Sequence, residues 1–424
     1  PLIEIMRAGP ARTAIWNAGY GDVLREISGI IFATDWINWG LWVEWYGNTT
    51  LSPPPGFTAW KGQLFASVDE RFTQFLYEGV DASISVEQIA WGGILVDGIR
   101  PLDNPPVLEA AEATYLEPTE PVFGVIANGE ARAYPLRIMD PHEMANDVLG
   151  GIPISLAYCT LCGSGIAYDA RAADGAVYTF GTSGLLYQSN KLMYDRQTKT
   201  LWNQFTGRPV VGPLVADARQ TSGSLLQTLP IVLTSWQSWL DQHPDTTVLD
   251  INTGVGFGYT LGYPYLQYFA SGDTMFPVAQ RSAQLSPKQW VFGLNLAGEQ
   301  KAYSLDALIA GGEIVNDTLA GTDVAIISTG PLIDVEAEAP GSGLLLYQAG
   351  GEVRAFERPP GLTFQFTDEP NRFVDSIGAT WTLTEEALVA RDGTLAPRIV
   401  GHTSFWFGWF QFFPHTELFG GRNP

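Results

Sequence analysis

The sequence predicts a mostly β (α+β) protein: two tandem homologous β-rich domains with short helices in a pseudo-twofold pair, plus a partly helical, Trp-rich N-terminal region. Three observations lead there. Aromatic residues make up 12% of the chain and accompany 46 Gly and 28 Pro, a composition of short strands and tight turns rather than long helices. Four blocks of sequence recur in the same order. Within the blocks, apolar and polar residues alternate at the period of a half-buried strand.

The repeat is read directly. "VFGVIANGEARAYPL" from Val122 aligns without gaps on "VFGLNLAGEQKAYSL" from Val291, with eight identities in fifteen positions. One inserted residue later, "HEMANDVLGG" from His142 matches "GEIVNDTLAG" from Gly312. "MYDRQTKTLW" from Met193 matches "FVDSIGATW" from Phe373, and "SWQSWLDQHPDTTVL" from Ser235 matches "FWFGWFQFFPHTELF" from Phe405. These blocks set the boundaries: an extension over 1–90, a first repeat over 91–251, a Gly- and aromatic-rich connecting strap over 252–288, and a second repeat over 289–424.

Each element follows from local signals. In the extension, Trp36, Trp39, Trp42 and Trp45 recur every three residues and form an aromatic stripe if helical, either packed inward or offered to an oligomer or envelope partner. Each repeat opens with a hairpin, turning at Asn128-Gly129 and at Ala297-Gly298. Asp140-Pro141 supplies a cap and a first-turn proline, which predicts a helix from about Asp140 to Val148. Strands follow in "IPISLAYC", "GIAYDA" and "AVYTF", and in "TDVAIIS" and "EVRAFER" of the second repeat. The strap carries too many Tyr and Phe to stay solvated, so it is expected to lie ordered on the surface.

A formal charge of −22 repels phosphate backbones and excludes nucleic acid as a partner. No apolar run approaches bilayer length, so no transmembrane segment is expected. The chain opens at Pro1 without an initiator Met, as removal of an export signal would leave it.

Comparing the repeats separates scaffold from chemistry. Glu143, Asn146 and Asp147 recur as Glu313, Asn316 and Asp317, and Asp195 and Trp202 as Asp375 and Trp381, which marks them as fold determinants. By contrast His142 aligns with Gly312, Cys159 with Thr329, Cys162 with Leu332, Met193 with Phe373 and His243 with Phe413. That is the pattern of one site, in the first repeat only. Cys159 and Cys162 are the only cysteines, and a C-x-x-C-G turn points both sulfurs into one hollow, with Gly163 free to take positive φ. Thiolates bind soft and borderline ions, so the metal reading takes Cys159, Cys162, His142 and Met193 as ligands, with copper first and zinc as the alternative. Glu143 and Asp195 then support the ligands. The other readings of the pair are a redox dithiol or disulfide, and then buried inert thiols. "FGTSGLLYQSN" from Phe180 could cradle an anion but lacks Walker spacing, and Ser183 lacks a nucleophile elbow.

The blocks "HEMANDVLGG", "YCTLCGSGIAYD", "FGTSGLLYQSNKLMYDRQTKTLWNQFTGRPVVGPL" and "WQSWLDQHPDTTVL", followed by "FPV" and "LSPKQWVFGL", resemble the bacterial and archaeal family called domain of unknown function 3179, from about Gly93 to Phe419. The resemblance implies export and carries no activity, substrate or cofactor. Together these readings predict an exported protein with one metal or thiol redox site, used for electron transfer, metal handling or small-molecule oxidation. The alternative is a structural protein of the cell envelope or extracellular matrix, with the cysteines as a disulfide staple.

Overall fold

A computed structural model describes residues 1–8, 14–32, 37–172, 175–220, 225–312, 314–339 and 343–421. It is mostly β, with 39% strand against 22% helix. No helix among the described residues is long and apolar enough to cross a membrane. The chain divides into two compact units, both discontinuous. One holds Pro1–Pro101, Arg171–Leu226 and Thr274–Arg281, and the other holds Leu102–Ala170, Gln227–Asp273 and Ser282–Pro424. Residues 171–226 of the first repeat thus fold with the N-terminal extension.

In the N-terminal unit, five α-helices among the described residues accompany a five-stranded sheet of spatial order Ile89–Trp91, Phe180–Tyr187, Asn190–Asp195, Leu201–Asn203 and Arg208–Val211. Phe65, Phe72, Phe75, Leu185, Leu192 and Leu201 form its core. The Trp stripe turns inward: Trp42, on the helix Trp39–Gly47, is fully buried with Met6 and Leu24, and Trp39 and Trp45 pack around them. Trp36 lies outside the described residues. "FGTSGLLY" is a strand, Phe180–Tyr187, that turns through Gln188 and Ser189 at positive φ into Asn190–Asp195. The strand expected at "AVYTF" starts only at Phe180, because Val177 makes an isolated bridge with Arg171.

In the larger unit one sheet pattern occurs twice. Ile231–Ser235, Pro121–Ala127 and Glu130–Pro135 run antiparallel in that order, and Thr247–Leu249 joins Glu130–Pro135 in parallel. His402–Phe405, Trp290–Leu296, Glu299–Ser304 and Glu417–Phe419 repeat both order and sense. The packing repeats as well. A Cβ on Gly124 would lie 2.3 Å from the Trp239 ring, and one on Gly293 would lie 2.1 Å from the Trp409 ring, so glycine lets each indole lie flat on the sheet. Trp239 Nε1 donates to Thr246 Oγ1 at 2.9 Å and Trp409 Nε1 to Thr416 Oγ1 at 3.0 Å, satisfying the single polar atom of each buried ring. Asp147 accepts from Tyr134 at 2.8 Å and Asp317 from Tyr303 at 2.9 Å.

One expected element is corrected. The helix runs over Leu136–His142, not Asp140 to Val148, and Met144–Leu149 is a strand. Pro141 has no N–H to give and sits near the end of the helix rather than in its first turn. Gly150 and Gly151, both at positive φ, then turn Met144–Leu149 back onto Ile152–Cys159 as a hairpin.

Candidate functional site: a buried dithiol turn under an aromatic strap

The antiparallel ladder that pairs Met144 with Ala157 sets Glu143 beside Tyr158, whose N–H donates to the Glu143 carbonyl at 2.9 Å. Ile152–Cys159 then reverses into Ser164–Asp169 through the cysteine turn. Cys162 N–H donates to Cys159 O at 3.2 Å, an i to i+3 turn, and Gly163 N–H donates to Thr160 O at 3.4 Å. Gly163 is required twice over: its φ is +63°, and a Cβ there would lie 2.6 Å from Cη2 of Trp290. Neither cysteine is in a disulfide, and both are buried, with 1% and 0% exposure. The second repeat holds the turn from the far side, where Phe405 N–H donates to Cys162 O at 2.7 Å. A Cβ on Gly408 would fall 3.0 Å from Cys162 Cβ and 3.3 Å from its Sγ.

The strap covers the other side with three tyrosines. His142 Nε2 shares a 2.6 Å hydrogen bond with the Tyr259 hydroxyl, and its ring also meets Phe257. Tyr265 donates to Glu143 Oε1 at 2.7 Å, and Tyr268 donates to Leu161 O, inside the turn, at 2.6 Å. Thr160, between the two cysteines, donates to the same Glu143 Oε1 at 3.0 Å. Lys288 ends the strap: its ammonium lies 3.7 Å from the Tyr268 ring centroid and donates to the Tyr268 and Ser271 carbonyls. Burial holds its pKa down at about 8. Burial also pushes the hydroxyls of Tyr268 and Tyr265 upward, and the neighbouring cysteines and, for Tyr265, the Glu143 carboxylate add to it.

Two carboxyls complete the site. Asp140 is fully buried, and among the described residues neither oxygen has a hydrogen-bond partner. Burial first, then Glu143, drives its pKa well above the carboxylate range, and only Tyr158 opposes this. Glu143, also buried, sits at φ +56° as the left-handed C-cap of its helix, a strained place for a residue with a Cβ. Strand register now corrects the alignment. The helix Leu305–Gly311 has its left-handed C-cap at Gly312, so Gly312 takes the place of Glu143 and Gly311 that of His142. The inserted residue is therefore Glu313, which lies outside the described residues. Asn146 pairs with Ser155 and Asn316 with Ala325, which sets Tyr158, Cys159, Thr160 and Cys162 against Ser328, Thr329, Gly330 and Leu332. Asp140 stands against Ile309. Glu143 thus joins the residues confined to the first repeat, and a positive-φ signal at Gly311-Gly312 was the sequence clue to it.

Of the predicted ligands, the structure brings Cys159, Cys162 and His142 into one unit. Met193 belongs to the other, fully buried on Asn190–Asp195 between Thr182 and Trp202. Among the described residues no group of three or more His, Cys, Asp and Glu side chains is placed to hold a metal ion. Asp195 also lies in the N-terminal unit, where it accepts from Trp202 Nε1 at 2.9 Å, the same bond that Asp375 makes with Trp381. The second repeat's hollow is not inert. Thr329, at the register position of Cys159, donates to Glu352 at 2.6 Å inside a buried network of Glu352, Arg354, Glu385 and Arg398. Ser238 and Gln242 of the first repeat reach into it, and His243 Nε2 lies 3.7 Å from Glu385.

The family model described as "Protein of unknown function (DUF3179)" matches residues 96–416. The chain belongs to this family. The DUF3179 match takes in the whole dithiol site and leaves the N-terminal extension outside. No curated protein and no solved structure matches the chain.

Proposed function

We propose that this DUF3179 protein is a thiol redox protein whose working groups are Cys159 and Cys162. The observation that carries it is the hydrogen-bonded turn that joins the two reduced cysteines. Such a turn keeps its end Cα atoms within about 7 Å, and a disulfide needs ~4.4–6.8 Å, so the S–S bond can close with little backbone movement. The cycle balances by exchange. One thiol loses its proton and attacks a disulfide on a small molecule or partner, releasing one reduced thiol. The second cysteine then closes the Cys159–Cys162 bond and releases the other, so both electrons leave in the reduced partner. A pair of this kind works in an oxidising compartment, and export is part of the proposal.

The test is equilibration of the purified chain in glutathione buffers of graded poise, followed by trapping with iodoacetamide and mass analysis. Both thiols are expected to disappear together, with a midpoint between about −180 and −280 mV. Cys159→Ser leaves a lone thiol that forms only a mixed disulfide. A bond that resists reduction until below about −300 mV makes the pair a staple and overturns the redox reading. Stoichiometric copper or zinc in protein purified without chelator, lost in Cys159→Ala, overturns it in favour of a metal site.

A further inference from the structure

The thiols are sealed, so a redox partner reaches them only when something moves. The three tyrosine bonds from the strap lie over the site: Tyr268 bonds Leu161 O inside the turn, and Tyr265 meets the turn through one shared oxygen. Glu143 Oε1 accepts from Thr160, between the cysteines, and from Tyr265, on the strap. The backbone that presents this oxygen is held at φ +56°, where the second repeat uses Gly312. A strained, buried carboxylate shared by two segments can join their equilibria.

We propose that Glu143 is a positioning residue that couples the strap to the dithiol turn, so that release of Tyr265 and exposure of Cys159 and Cys162 are one transition. This deepens the redox reading by naming how access to the same site is regulated. With the strap on, the oxygen is saturated by both donors and the turn is fixed. Loss of the Tyr265 bond frees Glu143 from one side and lets the turn relax from the other. By reciprocity, whatever loosens the turn loosens the strap by the same factor.

The experiment measures alkylation of the reduced full chain by iodoacetamide, with hydrogen exchange of residues 257–270 on the same samples. The variants are Glu143→Gly, Glu143→Gln, Tyr265→Phe and the double variant of Glu143→Gly with Tyr265→Phe; thermal melting checks each fold. Glycine suits the left-handed backbone, so Glu143→Gly removes the carboxylate without adding strain. Glu143→Gly and Tyr265→Phe are each expected to speed alkylation by about tenfold or more, the equilibrium factor of one charge-assisted hydrogen bond. The double variant is expected to match the faster single one, because Tyr265 reaches Thr160 only through the carboxylate that Glu143→Gly removes. Glu143→Gln retains an acceptor and is expected to stay near the wild-type rate. Strap exchange rises in step with alkylation.

Multiplying effects in the double variant overturn the coupling, as does faster alkylation with unchanged strap exchange. If Glu143→Gly fails to fold, the cycle of Thr160→Val with Tyr265→Phe asks the same question. Alkylation needs no electron acceptor, so these rates decide the coupling whether or not the disulfide forms. Coupled variants in a chain that never oxidises would overturn the redox reading alone.

Discussion

Replacing Arg354 by Met tests whether the second repeat has exchanged chemistry for an ionic lock. Arg354 is fully buried, and its guanidinium is paired with both Glu352 and Glu385. It also donates to Gln242 at 3.1 Å and to Thr329, the register partner of Cys159, at 3.3 Å. Met fills a similar volume but leaves two buried carboxylates with one cation, Arg398, which touches only Glu385. Stripping one partner from a buried ion pair costs about 3–5 kcal/mol. In a unit of this size that lowers the melting temperature by roughly 6–20 °C.

The pH dependence gives a second, sharper readout. In the native protein burial works against the Glu352 carboxylate, but Arg354 outweighs it and holds the pKa at about 2, below the ordinary 4.5. That contribution is full above pH 4.5 and is lost as pH falls towards 2. In Arg354→Met burial acts on Glu352 without its cation, opposed by the hydrogen bonds from Thr234 and Thr329, and its pKa is expected to rise above 4.5. The variant then gains stability as pH falls from 7 to 5, whereas the wild type does not. Urea unfolding at pH 7 and pH 5, followed by tryptophan fluorescence, reads both effects. A loss below about 1 kcal/mol, or a deficit equal at the two pH values, refutes the account of a desolvated lock.

Gly293→Ala and Gly124→Ala are each expected to destabilise by about 2–3 kcal/mol, as a methyl is driven into Trp409 or Trp239; calorimetry should find the two losses equal within ~1 kcal/mol. Gly408→Ser copies Ser238, its register equivalent, and places a side chain against Cys162, so it is expected to cost about 1–2 kcal/mol and shift the dithiol midpoint. An unchanged midpoint in that variant would show that Gly408 does not shape the thiol hollow. Burial holds the His402 pKa down at about 4, below its ordinary 6.5, so the unfolded chain binds more protons between these values. Stability is therefore expected to fall as pH drops from 6.5 to 4, and His402→Gln to flatten that slope in urea titrations.

The sequence by itself determined the strand-rich class, the family, both repeat hairpins and the confinement of Cys159, Cys162 and His142 to one repeat. It could do so because hairpin turns, period-2 alternation and an internal repeat are local or self-referring signals. Glu143 was misjudged for a definite reason: the alignment that pairs it with Glu313 gains an identity as strings, and only the left-handed cap at residues 143 and 312 overrules it. The helix at Asp140 was misplaced because one proline can open a helix or close it, and the hairpin at Gly150-Gly151 decided which. Tertiary structure alone put Met193 in a different unit, laid Tyr259, Tyr265 and Tyr268 on the site from more than a hundred residues away, and left Asp140 buried without a hydrogen-bond partner among the described residues. Burial and shared hydrogen bonds depend on which distant segments meet. The free energy of that meeting is spread over the whole packed interior rather than written in any one stretch of chain.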